Sequence, residues 1–141
     1  MENFVFGLFA TDELLVTPAS QMGDMLPMHV WLWLYWLLAI GATSLFWSFR
    51  KVEARYVALA YILTFAASFI VTQVSGPDAV LYVSLSLFHV IFWTPVLALL
   101  ILRRAKANFS SLYGVWLSLA MATMAISLVF DYRDVIAYLL M

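Results

Sequence analysis

The chain has 141 residues, 66% of them hydrophobic and 11% charged, with a formal net charge of −1 and a mean hydropathy of +1.00. A soluble domain is about half apolar and about a quarter charged, and a small one leaves much of its surface in water, so this composition excludes an ordinary soluble core and makes lipid the natural solvent. The absence of cysteine excludes disulfides, thiolate zinc sites and iron–sulfur clusters.

Residues 1–26 open with an apolar patch, Phe4, Val5, Phe6, Leu8 and Phe9, too short to span a bilayer, and continue through Asp12, Glu13, Pro18 and Asp24. The start lacks the basic region and small-residue cleavage site of a signal peptide, so Met1 is expected to be the mature start. The aromatic density predicts an interfacial segment docked on the membrane surface with one short helix; the bland alternative is a disordered tail. Pro27 to Phe49 is the first predicted span. Pro27 suits a first helical turn, Trp31, Trp33, Tyr35 and Trp36 crowd one end, and Trp47 and Phe49 mark the other, where aromatics favour headgroup depth. Arg50 to Arg55 form a short basic loop. Tyr56 to Val74 is the second span, closed by the turn signal Ser75-Gly76-Pro77-Asp78. Ala79 to Leu102 is the third, 24 residues without Asp, Glu, Lys or Arg, long enough to cross as a helix. Arg103, Arg104 and Lys106 make a second basic loop, and Phe109 to Phe130 is the fourth span. Asp131 to Met141 is read as an interfacial C-terminal segment, with Asp131 and Asp134 capping a short helix whose Val135, Ile136, Leu139 and Leu140 press onto the membrane; a charged mouth or docking edge is the functional alternative. The predicted fold is an all-α membrane protein, an up-down four-helix bundle over residues 27–130.

Six of the seven Lys and Arg residues fall in the loops after spans one and three. Those loops are therefore expected on the cytoplasmic side, with both termini on the outer side. Basic residues so few and so placed argue against nucleic-acid binding. The expected partners are the bilayer and either further copies of the chain or other membrane subunits.

In lipid, helices approach through small residues. Ala60, Thr64, Ser68 and Thr72 recur at steps of four in span two, Gly114, Ser118 and Ala122 in span four, and Gly41, Ser44 and Ser48 lie along span one. These stripes are the candidate packing faces, within one chain or between subunits.

The candidate site is a stripe on span three. Tyr82, Ser86, His89 and Trp93 are separated by four, three and four residues, which puts them on one helix face. An ionisable residue inside a span is a functional hypothesis by default. The structural alternative is a neutral His89 bonded to Thr64 or Ser68 on a neighbouring helix. Pro95 removes one backbone hydrogen bond and is expected to kink the helix near Ile91. His29 makes a bis-histidine haem worth testing, but it lies about two residues inside its span and His89 about ten, so their depths differ by roughly 12 Å. His29 is therefore read as interfacial. Two separated histidines without cysteine do not make a metal site, and no nucleophile elbow, phosphate loop, paired-carboxylate arrangement or metalloprotease motif is read in the sequence.

FHVIFWTP at Phe88 to Pro95, the basic loop after it, and SLVFDYRDVIAYLL at Ser127 to Leu140 look like the pattern of a group of small four-span bacterial inner-membrane proteins of unassigned function. The resemblance covers the chain from about Pro27 onward. It implies a bacterial inner membrane and carries no activity, cofactor or functional residue.

Three functions are consistent with these readings. The first is a non-enzymatic membrane protein, acting as a homo-oligomer or an accessory subunit. The second is a pH-sensitive channel or transporter with His89 in its pathway. The third is a redox subunit holding haem or quinone near His89. The first is the expectation adopted, with no cofactor; a haem b at His89 is the cofactor alternative.

Overall fold

A charge-free apolar run in lipid must satisfy its backbone hydrogen bonds internally, and the helix does this within one segment. In the computed structural model, which describes residues 4–5, 8–103 and 110–141, the described residues are 81% helical. After a two-stranded antiparallel pair, β1 (Phe4–Val5) and β2 (Phe9–Ala10), come a one-turn helix α1 (Asp12–Leu15), two 3-10 turns, and four long helices: α2 (Met28–Ser48), α3 (Val52–Ser75), α4 (Tyr82–Leu102) and α5 (Leu112–Leu139). The four long helices are each long and apolar enough to cross a membrane. Phe6, Arg104, Lys106 and Phe109, used in the sequence reading, lie outside the described residues.

Local chemistry sets the helix ends. Ser111 Oγ accepts from the Gly114 N–H at 3.0 Å and starts α5. Gly76 closes α3 with φ of 99°, a conformation open to glycine, while its N–H reaches Thr72 O at 2.9 Å. α4 runs on through Pro95.

Two helices differ from expectation in extent. α3 begins at Val52, so Glu53 and Arg55 belong to the helix and the basic loop is shorter than the predicted Arg50 to Arg55. Glu53 is 4% exposed; its Oε1 accepts from Tyr113 Oη at 3.1 Å and its Oε2 from Arg103 Nη2 at 3.2 Å. α5 does not stop at Phe130. It continues to Leu139, so Asp131 to Met141 is no separate capped helix. The reason is that Asp131 and Asp134 face inward and find partners in the bundle, which leaves the helix nothing to break for. At 1.5 Å per residue α5 is roughly 42 Å long, more than a ~30 Å hydrocarbon core.

The long helices pack in chain order, α2 on α3, α3 on α4 and α4 on α5, while α2 touches α5 only lightly. Leu37 and Ile40 of α2, Val57 and Tyr61 of α3, Trp93 and Leu100 of α4, and Trp116, Leu117 and Met124 of α5 share one core. Polar cross-links join the helices: Trp36 Nε1 donates to Thr123 Oγ1 at 2.8 Å and Trp116 Nε1 to Thr43 Oγ1 at 2.7 Å.

Residues 8–26, expected as an interfacial segment, fold onto one end of the bundle. Leu14 and Leu15 are fully buried with Phe4, Leu26 and Val83 in a second core. Ala19 N donates to Val80 O at 2.7 Å and Tyr82 N to Thr17 O at 3.0 Å. The segment's leucines find a protein surface to bury against, which satisfies them as well as lipid would. The light contact between α2 and α5 leaves a space beneath this cap.

Candidate functional site

The polar stripe of α4 forms a ladder, and each of its lower three rungs meets a different side chain. Tyr82 stands at the top, half-buried, its backbone tied to Thr17. One turn down, Ser86 Oγ donates to Asp134 Oδ2 at 3.4 Å, and Asp134 Oδ1 accepts from Arg133 Nη1 at 3.0 Å. The same Arg133 nitrogen donates to Ala10 O at 2.7 Å, and the guanidinium lies over the Phe9 ring at 5.1 Å. Next, His89 Nδ1 meets Asp131 Oδ2 at 2.9 Å, and Ser127 Oγ donates to that same oxygen at 3.1 Å. With Asp131 ionised, Nδ1 carries the hydrogen and Nε2 is left for another group. At the bottom, Trp93 is 1% exposed, stacks on His89 with centroids 4.2 Å apart, and donates Nε1–H to Thr64 Oγ1 at 3.0 Å.

The expected hydrogen bond from His89 to Thr64 or Ser68 is thus corrected. Thr64 is taken by Trp93, and the Ser68 hydroxyl turns back to Thr64 O at 3.1 Å. The imidazole goes to a carboxylate because α5 stays helical long enough to bring one.

Tyr82, Ser86 and His89 line a cavity of about 230 Å³; Trp93 lies beneath and outside its lining. Phe4, Leu8, Ala10 and Met22 of the N-terminal segment roof it. Leu26, Val30, Trp33, Leu34 and Leu37 form an apolar wall on the α2 side, and Ile126, Ser127, Phe130, Asp131 and Asp134 come from α5. His29, although exposed, also lines this cavity and meets Phe4 edge-on at 6.3 Å. The two histidines that residue counting sets roughly 12 Å apart in depth therefore share one cavity. Among the described residues no group of three or more His, Asp or Glu is placed to hold a metal.

The predicted packing stripes fare unevenly. Gly41 and Ser44 sit at the crossing of α2 and α3, where a Cβ on Gly41 would lie 2.7 Å from Tyr61 Cδ1. Ala60 and Thr64 are buried, while Ser68, Thr72 and Ser48 are half-buried. In α5 the predicted face rotates out: Gly114 is buried, Ser118 half-buried, and Ala122 exposed. The buried face carries Trp116, Ala120, Thr123, Ser127, Asp131 and Asp134 instead. Trp116 and Tyr113 fill the space between α5 and the end of α2, while Ala120, Thr123 and Ser127 are the small residues of that face.

Sequence reasoning missed Ser127, Asp131, Asp134, Arg133 and Glu53 as site or core residues. Ser127, Asp131 and Asp134 stand at i, i+4 and i+7, a helical spacing that continues the inner face of α5. That signal was present but is hidden once Asp131 is taken as the helix end. No protein-family model matches the chain, and no curated protein or solved structure matches it either.

Proposed function

We propose that this chain is a small non-enzymatic integral membrane protein that binds a hydrophobic small molecule with a polar head in the cavity beside His89, and that it works as a homo-oligomer or as an accessory subunit of a larger membrane complex. The observation that carries the reading is the asymmetry of the cavity. Apart from His29 its α2 side is apolar, while Tyr82, Ser86, His89, Asp131 and Asp134 converge on the opposite wall. An apolar cavity with a few convergent polar groups is the usual form of a small-molecule site. The non-enzymatic reading is supported by the hydroxyls: Ser86 and Ser127 donate to Asp134 and Asp131, so neither is paired with His89 as nucleophile and base.

The topology belongs to the same proposal. The helices alternate in direction, Arg50, Lys51, Arg55 and Arg103 mark the cytoplasmic side, and Asp78 and the N-terminal acids mark the outer side. The cap and cavity then open toward the outer leaflet. A bacterial inner membrane follows from the resemblance in sequence pattern. The conduction reading draws less support, because buried Trp93 closes the bundle under His89.

The test is solvent extraction and mass spectrometry of the detergent-purified protein, with absorbance spectra recorded oxidised and reduced. A small molecule that copurifies with the wild type and is lost when Ser86→Trp fills the cavity supports the reading. Identical extracts from both proteins overturn it. A Soret band that shifts on reduction replaces it with the haem alternative.

A further inference from the structure

We propose that the cavity takes a lipophilic cation, an amine or quaternary-ammonium amphiphile, in exchange for one proton held by the His89–Asp131 pair. The inference rests on the binding reading above and names the ligand class.

The charge count around the cavity carries it. Asp131 and Asp134 of α5 are 7% and 4% exposed. Arg133 pairs with Asp134 at 3.0 Å and is anchored to Ala10 O, which leaves Asp131 facing only neutral hydroxyl and imidazole donors when His89 is uncharged. The other titratable groups on the wall are Tyr82 of α4 and His29 of α2; Asp12 and Glu13 of the N-terminal segment are exposed and outside the lining. Among the described residues, with both histidines neutral, the two carboxylates and one guanidinium leave a single uncompensated negative charge. An isolated charge away from water is costly, so the site holds either a proton or another cation. A proton on the His89–Asp131 pair makes it an ion pair at 2.9 Å.

The rest of the wall suits the second occupant. Phe4, Trp33, Tyr82 and Phe130 are among the residues that line the cavity, and aromatic faces attract ligand cations, quaternary ammonium above all. The apolar α2 side takes the hydrocarbon. On exchange the cation enters beside the Asp131 carboxylate, His89 gives up its proton to solvent, and the net charge of the site stays at zero. Protons and cations then compete: as pH falls below the point where the pair takes its proton, cation affinity falls about tenfold per pH unit, and above that point it is constant.

The experiment is isothermal titration calorimetry of the full-length protein in detergent, against protein-free micelles, with benzyltrimethylammonium and its neutral isostere neopentylbenzene. Runs span pH 5.5 to 8.5 in buffers of different ionisation enthalpy. Expected are tighter binding of the cation than of the isostere at pH 8, release of one proton per cation at low pH, and a loss of about tenfold or more in cation affinity in Asp131→Asn. Neopentylbenzene binding by Asp131→Asn shows that the variant keeps its cavity. If the isostere binds as well as the cation, or the cation binds without proton release, the cation proposal fails and the binding reading stands. If neither compound binds, both fail.

Discussion

His89 and Asp131, 42 positions apart in the chain, bring Nδ1 and Oδ2 to 2.9 Å and tie α4 to α5 beneath the N-terminal cap. Removing His89 leaves Asp131 as a buried group with one of its two side-chain hydrogen bonds, and such an under-bonded group costs about 1–3 kcal/mol. Asp131 is the more exacting of the two because it is the more buried and keeps only Ser127 when the imidazole is gone. Expected, therefore, is a lower thermal midpoint in detergent for His89→Ala at pH 7.5, with part of the loss recovered in the double variant His89→Ala/Asp131→Asn. Additive losses across the cycle would show that the two side chains are not coupled.

The crossing of α2 and α3 rests on the missing side chain of Gly41. A Cβ there meets Tyr61 Cδ1 at 2.7 Å and Cε1 at 2.8 Å, inside any real contact. Tyr61 cannot swing away freely, since its other neighbours include Trp93 at 4.9 Å between centroids. Gly41→Ala is expected to destabilise the bundle by about 1–3 kcal/mol, the usual range for an overpacked contact, and Gly41→Ala/Tyr61→Leu to recover part of it. A Gly41→Ala midpoint equal to that of the wild type would mean the helices separate there at no cost.

How much of this was legible in the sequence follows from what each feature depends on. The four long apolar helices could be read because hydrophobic length and loop charge are properties of the segment itself. The stripe Tyr82, Ser86, His89 and Trp93 could be placed on one face for the same reason. Its partners could not. Asp131 reads as a helix stop when only its neighbours are consulted; it and Asp134 become inward carboxylates because His89 and Ser86, respectively, stand opposite them on α4. The N-terminal segment is a similar case: Leu14 and Leu15 have no periodic pattern long enough to announce their burial, which arises from Val83 and from the ends of α4 and α5. The α5 packing face was misread because small residues were favoured over Trp116, whose indole N–H finds Thr43.

Arg133 holds the cap to the bundle with a hydrogen bond to Ala10 O at 2.7 Å and stacks over Phe9. Its second contact, to Asp134 at 3.0 Å, neutralises a carboxylate in the cavity wall. Arg133→Gln keeps a donor but removes the charge and the fork. Expected in that variant is faster amide exchange of residues 8–17 by mass spectrometry, with protection of α3 unchanged, because among the described residues the cap packs on α4 and α5. Unaltered exchange in residues 8–17 would assign the cap's stability to Leu14 and Leu15 alone.

The proposed orientation can be read directly, because the chain has no cysteine and a single introduced thiol is the only target. Ser75 lies at the end of α3 beside Gly76, and Ser110 just before α5; both are exposed, and serine to cysteine changes one atom. If the bundle end carrying Arg50, Lys51, Arg55 and Arg103 is cytoplasmic, a membrane-impermeant maleimide added to intact spheroplasts labels Ser75→Cys and leaves Ser110→Cys unmodified until the membrane is permeabilised. The opposite pattern would put the cap and its cavity on the cytoplasmic side and remove the outer leaflet as the ligand's route of entry. Labelling of both thiols in intact cells would mean that the chain inserts in two orientations. Mixed insertion is resisted here by the charges themselves: basic residues cluster after α2 and after α4, and the connection between α3 and α4 holds Asp78 and no basic residue.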